Sequence, residues 1–216
     1  TSFSGGLIPN TTSIPRDPAV QAIIDDYLAI LGVEMGRVVG RTLVELDGRR
    51  WRAPGTPGFQ GIRREETNLG NLVTDMMRWA SENEAQIAFT NGGGIRWHRL
   101  FPAGDITLKD VYDLLPFLNT LVMMDLTGSQ IRQALERSVY RTHIHGSATE
   151  FGGFLHVSGL TFKFDNRLPE NSRVVEVLVD GVPLDDAAVY RVATNDFTAA
   201  GGDGYTVLTG GTNFVN

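Results

Sequence analysis

The chain of 216 residues contains no cysteine. That excludes disulfides, thiolate metal sites and a cysteine nucleophile. No apolar run approaches about 18 residues, so no transmembrane helix is expected. No signal-peptide pattern stands at the start. Positive charge is not in excess: 19 Lys and Arg face 25 Asp and Glu, a formal net charge of −6. This argues against a nucleic-acid polymer as partner, which calls for a basic face, but leaves room for a small anion held by a few arginines. The GxxxxGK[ST] and GxGxxG phosphate loops and the GxSxG nucleophile elbow are also missing. The histidines are His98, His143, His145 and His156. His143-Ile144-His145 offers two ligands with no carboxylate cluster beside them, so no metal site is expected. The acids show no spacing that argues for an acid–base pair, and no catalytic residue is assigned.

What remains is an ordinary globular composition, with 42% hydrophobic and 20% charged residues and 25 glycines. Residues 1–17 are rich in Gly, Pro, Ser and Thr and read as a linker. Asp17 and Pro18 form a helix-start signal. Val20, Ile23, Ile24, Tyr27, Leu28 and Leu31 then recur at helical spacing, which predicts a helix over 18–32. A strand is expected over 38–46, followed by a loop over 47–62. A second helix is expected over 68–81, capped by Thr67 or Asn68. Further strands are expected over 86–90, 120–126, 156–165, 174–179 and 190–194. Thr107 caps a short helix ending before Pro116, and Gly128 opens another running to about Tyr140. Asp180-Gly181 marks a hairpin. Helices alternate with strands and a strand-rich segment comes after them. The expected class is a mixed α/β or α+β domain, a mixed sheet with flanking helices, over 18–216.

Three elements carry candidate chemistry. Arg63 and Arg64 stand just before a helix N-terminus, whose free N–H groups and dipole suit an anion; the same arginines also fit simple surface pairs with Glu65 and Glu66. Asn91-Gly92-Gly93-Gly94-Ile95-Arg96 comes after a buried strand, where ligand sites of open sheets gather. Its glycines permit close backbone approach and Arg96 brings a planar fork; a tight turn with a surface arginine fits equally. The third element is Asn195-Asp196-Phe197-Thr198-Ala199-Ala200-Gly201-Gly202-Asp203-Gly204-Tyr205. Phe197 is either core or a ring on which a base stacks, and Asp203 either satisfies turn amides or bonds a sugar hydroxyl. Phe117, after Pro116, carries the same two readings.

Taken together, the strings RREETNLGNLVTDMMR, TNGGGIR, LPFLNTLVMMDLTGSQI, FGGFLHVSGL and TNDFTAAGGDGY resemble, in order and spacing, the C-terminal domain of the 5′-nucleotidase family, over about residues 18–210. The resemblance implies a substrate-binding domain. Arg63 and Arg96 would hold the phosphate end, with Arg64 as the alternative to Arg63. Asn91 and Gly93 would line the same pocket, Phe117 and Phe197 would sandwich the base, and Asp203 would bond the ribose. It implies, too, an N-terminal metallophosphoesterase domain in cis, absent from this chain, holding two divalent metal ions and the catalytic groups. Residues 1–17 would be the join. The ligand is expected to be a nucleotide or nucleoside, AMP-like or UDP-sugar-like, and this chain alone to be inactive. UDP-sugar hydrolases and 2′,3′-cyclic nucleotide phosphodiesterases share this domain, and related sulfur-oxidation hydrolases use a similar one. Family members are mostly exported to the periplasm, cell wall or extracellular space. A free-standing nucleotide-binding module, or a domain with a decayed pocket, are the alternatives.

Overall fold

The computed structural model describes residues 5–6, 11, 14–50, 61–142 and 150–216. The Asp17 carboxylate accepts from the amides of Ala19 and Val20, and Pro18 sits in the first turn, so helix α1 runs Pro18–Met35. The helix is as the apolar spacing predicts, but none of its residues is buried; Val20, Ile23, Tyr27 and Leu28 stand in the open.

The strand expected over 38–46 is two strands, β1 (Val38–Thr42) and β2 (Leu46–Asp47). The Thr42 hydroxyl donates to the Val44 carbonyl at 2.7 Å and accepts from the Val44 amide at 3.3 Å. That local turn competes with the ladder and redirects the chain. Of the loop expected over 47–62, residues 51–60 lie outside the described residues.

Helix α2 spans Asn68–Ala80 and is capped by the Thr67 hydroxyl on the Gly70 amide. Strand β3 (Ile87–Asn91) is buried throughout. Two short strands escaped the periodicity, β4 (Leu100–Phe101) and β5 (Gly104–Thr107), which pair with β2 and β1. Helix α3 (Leu108–Leu114) has a capping box between Thr107 and Asp110. Strand β6 (Leu121–Thr127) leads into helix α4 (Gly128–Ser138), capped by a second box between Thr127 and Gln130.

The strand expected over 156–165 is divided into β7 (Leu155–Ser158) and β8 (Leu160–Phe164). Gly159 has φ +77°, and a Cβ there would overlap the Gln86 carbonyl. Only glycine turns this corner, which carries the chain from one sheet to another. The predicted hairpin forms from β9 (Val174–Val179) and β10 (Val182–Pro183), with Asp180 and Gly181 both at positive φ. Strand β11 (Val189–Asn195) is followed by helix α5 (Asp196–Ala199), two 3₁₀ turns and strand β12 (Thr212–Val215).

The main sheet has the order β12-β6-β11-β3-β7; only β11 and β3 are parallel. Its faces differ because side chains alternate along a strand. Ile87, Phe89 and Val192 point into a large core with Ile131 and Leu135 of α4, and with Leu160 and Val177 of the three-stranded sheet β10-β9-β8. Ala88 and Ala193 point the other way, against Met77 of α2, and their small size lets the helix approach closely. A further cluster joins Leu69 and Val73 of α2 to Leu46, Ile62, Ile95, Trp97 and Phe101. Each large apolar side chain so buried contributes about 1.5–3 kcal/mol. The expected class, a mixed sheet with flanking helices, is what the chain forms. Among the described residues, no helix is long and apolar enough to cross a membrane.

Candidate functional site

The parallel strands β3 and β11 end beside each other at Asn91 and Asn195, and the segments leaving both strands gather at that sheet edge. The two asparagines knit the edge together. Asn195 Nδ2 donates to Thr90 Oγ1 at 2.9 Å and to Asn91 Oδ1 at 3.2 Å. Its own Oδ1 caps α5 by accepting from the Thr198 amide at 2.8 Å. Asn91 Nδ2 then donates to Asp203 Oδ2 at 2.8 Å. Asp203 sits at φ +53°, and its carbonyl accepts from Arg137 Nε at 3.0 Å and Nη2 at 2.8 Å. The Arg137 guanidinium is itself stacked over Tyr140 and Phe151, 4.7 and 4.9 Å from their centroids. An αL aspartate is uncommon, and this one is held from both sides.

The glycine turn after β3 is anchored to the strand opposite. The Gly92 and Gly93 amides donate to the carbonyls of Phe154 and Gly152, each at 2.7 Å. A Cβ on Gly93 would lie 3.0 Å from the Gly152 Cα, so here glycine serves close backbone approach.

Cations collect on one side of this edge. Arg63 is only 9% exposed. Its Nη1 lies 3.7 Å from Glu150, a carboxylate that also pairs with Arg50. Its Nε is buried and has no hydrogen-bond partner among the described residues. Burial lowers the Arg63 pKa, as do Arg50 and Arg96, while Glu150 and Asp203 oppose the shift. Arg96 is exposed and lies over Phe117, 5.5 Å from the ring centroid.

Phe117 and Phe197 are the exposed aromatics of the edge, at 56% and 46%. They stand on segments that meet: the Asp196 amide donates to the Thr120 carbonyl at 3.1 Å, where β6 pairs with β11 through Leu121 and Asn195. The Phe197 ring lies against Gly202, where a Cβ would overlap it. Phe197 thus stands partly exposed, outside the buried core. Arg64, adjacent to Arg63, is half-buried.

Sequence reasoning missed Glu150, Arg137 and Asn195 as supports of this edge. Glu150 directly precedes the Phe151-Gly152-Gly153 string, and Arg137 lies in the last turn of α4; neither position carries a local signal of its role. Among the described residues, no three His, Asp or Glu side chains come together as a group that could hold a metal ion. His143 and His145 lie outside the described residues. His156 is buried on β7 and linked to the Ile62 carbonyl at 2.8 Å; burial pushes its pKa down to about 4.

Comparison with known proteins gives a consistent picture. The chain is 38% identical over 210 residues to the trifunctional nucleotide phosphoesterase protein YfkN of Bacillus subtilis (strain 168), covering 94% of this chain and 13% of that protein. It is 36% identical over 225 residues to the snake venom 5′-nucleotidase of Naja atra, covering 96% of this chain and 40% of the relative. Among solved structures, the 5′-nucleotidase precursor of Thermus thermophilus superposes with a TM-score of 0.77 at 43% identity, over 94% of this chain and 38% of that one. The chain thus spans less than half the length of these relatives. The profile of the 5′-nucleotidase C-terminal domain matches residues 38–210, and the chain belongs to that family.

Proposed function

We propose that the sheet edge at Asn91 and Asn195 is the nucleotide pocket of a 5′-nucleotidase-like phosphohydrolase. In this reading Arg63 and Arg96 grip the phosphate end. Asn91 and Gly93 line the pocket, Asp203 accepts from the ribose, and Phe117 and Phe197 enclose the base. The observations that carry the reading are the Asn91–Asp203 bond at the end of the parallel strands, exposed Phe197 on the segment that follows Asn195, exposed Arg96 over exposed Phe117, and buried Arg63 feeling the charges of Arg96 and Asp203. The Nε of buried Arg63, unpaired among the described residues, supports it, since a buried donor calls for an acceptor.

The chemistry matches the parts. Each charge-assisted bond contributes roughly 1.5–3 kcal/mol net, and a stacked base about 1–3 kcal/mol. Association costs take back much of that sum, so the domain alone binds weakly, at about micromolar to millimolar Kd. The metal-dependent cleavage belongs to an N-terminal metallophosphoesterase domain carrying two divalent metal ions. Residues 1–17 join it to the substrate domain over 18–216, and the whole protein is exported. Saturation-transfer NMR with AMP tests the pocket. The adenine protons should receive saturation from protein aromatic protons more strongly than the ribose protons do. Equal or absent transfer to the adenine ring sinks the stacking.

A further inference from the structure

Arg137 stands on a fixed platform. Its neighbours in the last turn of α4 are buried and pinned to other strands. The Glu136 carboxylate accepts from the Arg173 amide at 3.1 Å and the Val174 amide at 2.8 Å. Ser138 Oγ accepts from the Leu155 amide at 2.8 Å. From there the Arg137 guanidinium lies against the Tyr140 and Phe151 rings. It makes no ion pair with the described residues, and Nε and Nη2 both donate to one neutral acceptor, the Asp203 carbonyl. A planar fork held on rings suits such a double bond, whereas an ammonium on a flexible stem does not. Close approach is built in, since a Cβ on Gly204 would lie 2.5 Å from Nη2.

The turn held in this way has little stiffness of its own. Asp203 is flanked by Gly201, Gly202 and Gly204 and sits at φ +53°, between glycines that also take positive φ. Local sterics do not fix such a segment, so tertiary bonds must orient it. Asn91 Nδ2 holds one carboxylate oxygen, Oδ2, and Arg137 holds the carbonyl. Among the described residues no group donates to the other carboxylate oxygen, Oδ1, which leaves it open to a ligand.

We propose that Arg137 is a positioning residue for sugar recognition: by clamping the Asp203 carbonyl it aims the free carboxylate oxygen at the ribose hydroxyls, and so sets the preference for a ribose over a sugar without hydroxyls. It acts through Asp203 and does not itself touch the ligand. The proposal rests on the nucleotide reading of the pocket at Asn91 and Asn195. Without the fork, the glycine-flanked turn swings about the Asn91 bond, and the carboxylate no longer meets the hydroxyls in one geometry.

Calorimetry with AMP and 2′,3′-dideoxy-AMP separates this claim from the pocket itself. The parent chain should prefer AMP by at least about tenfold, as befits hydroxyls bonded to a charged acceptor. Arg137→Met keeps an apolar stem against the two rings but loses the fork, and should bring that preference close to one. Asp203→Gly, which tolerates the left-handed backbone, should do the same. Arg137→Met added to Asp203→Gly should then leave the ratio where it is, because the two residues act in series. A merely structural loss weakens both ligands alike and keeps the ratio. The parent's preference surviving in Arg137→Met therefore overturns the proposal and leaves the pocket standing. Should Arg137→Met not fold, Arg137→Lys decides by the same ratio: a lowered preference upholds the proposal, and the parent's preference overturns it. If the parent binds both ligands equally, Asp203 does not meet the ribose and the proposal falls alone; if neither ligand binds, the pocket falls with it.

Discussion

Asn91 donates to Asp203 at 2.8 Å, across 112 residues of sequence. This bond ties the glycine turn after one parallel strand to the glycine-rich turn after the other. It is also where the pocket's geometry is most exposed to a single change.

Replacing Asn91 by Asp keeps the size of the side chain but removes the donor and sets a second carboxylate against Asp203. Like charges at that separation raise one another's pKa, and the Asn195 donor alone cannot balance both. Asn91→Asp should cost roughly 2–3 kcal/mol of stability near neutral pH, and Asn91→Ala about half as much. Urea unfolding at pH 7 and pH 5 checks this. The Asp variant should recover part of its loss at the lower pH, and an unchanged midpoint would mean that the bond does not hold the edge.

His156 gives a pH signature. Its folded pKa of about 4 lies below the ordinary value of 6.5, because burial disfavours the imidazolium. The unfolded chain therefore binds more protons between those values. The stability this residue contributes is complete above about pH 6.5 and is lost as pH falls toward 4. The loss from this one group should be about 2 kcal/mol between pH 7 and pH 5. His156→Gln keeps an N–H for the Ile62 carbonyl, which lies next to Arg63, but cannot titrate. Its stability should fall less over that range. Equal slopes in both proteins would show that His156 is not a buried neutral group.

Much of the fold was legible because its signals are local. Asp17, Thr67 and Thr107 cap helices at the positions their residue types suggest, and Asp180-Gly181 makes its hairpin. The errors came where a tertiary or side-chain contact overrides periodicity. Thr42 breaks one strand through its own hydroxyl, and Gly159 breaks another by passing against Gln86. Residues 196–199 are too few to show a helical period, yet Asn195 caps a short helix there that carries Phe197. At the candidate site, individual residues were singled out by chemical type. Their supports were not: Glu150, Arg137 and Asn195 act across long sequence separations that no pattern records.

Catalysis by this chain is a separate question from binding. The proposed function places the metal ions in an N-terminal domain, as the resemblance to 5′-nucleotidases implies. Phosphate release from AMP by the 216-residue chain with added Mn²⁺ or Mg²⁺ should stay at the background rate. Sustained turnover that copurifies with the protein and disappears in Arg96→Ala would refute that assignment.

The central claim is that the arginines and phenylalanines of this edge form one nucleotide pocket. Calorimetric titration of AMP into the parent chain, Phe197→Ala and Arg96→Ala tests it most directly. The account predicts binding in the micromolar to millimolar range for the parent, weakened about tenfold or more in each variant, as befits a stacked base and a charged grip worth about 1–3 kcal/mol apiece. Adenosine should feel the loss of Phe197 but not of Arg96. Undiminished AMP binding in both variants would contradict the account.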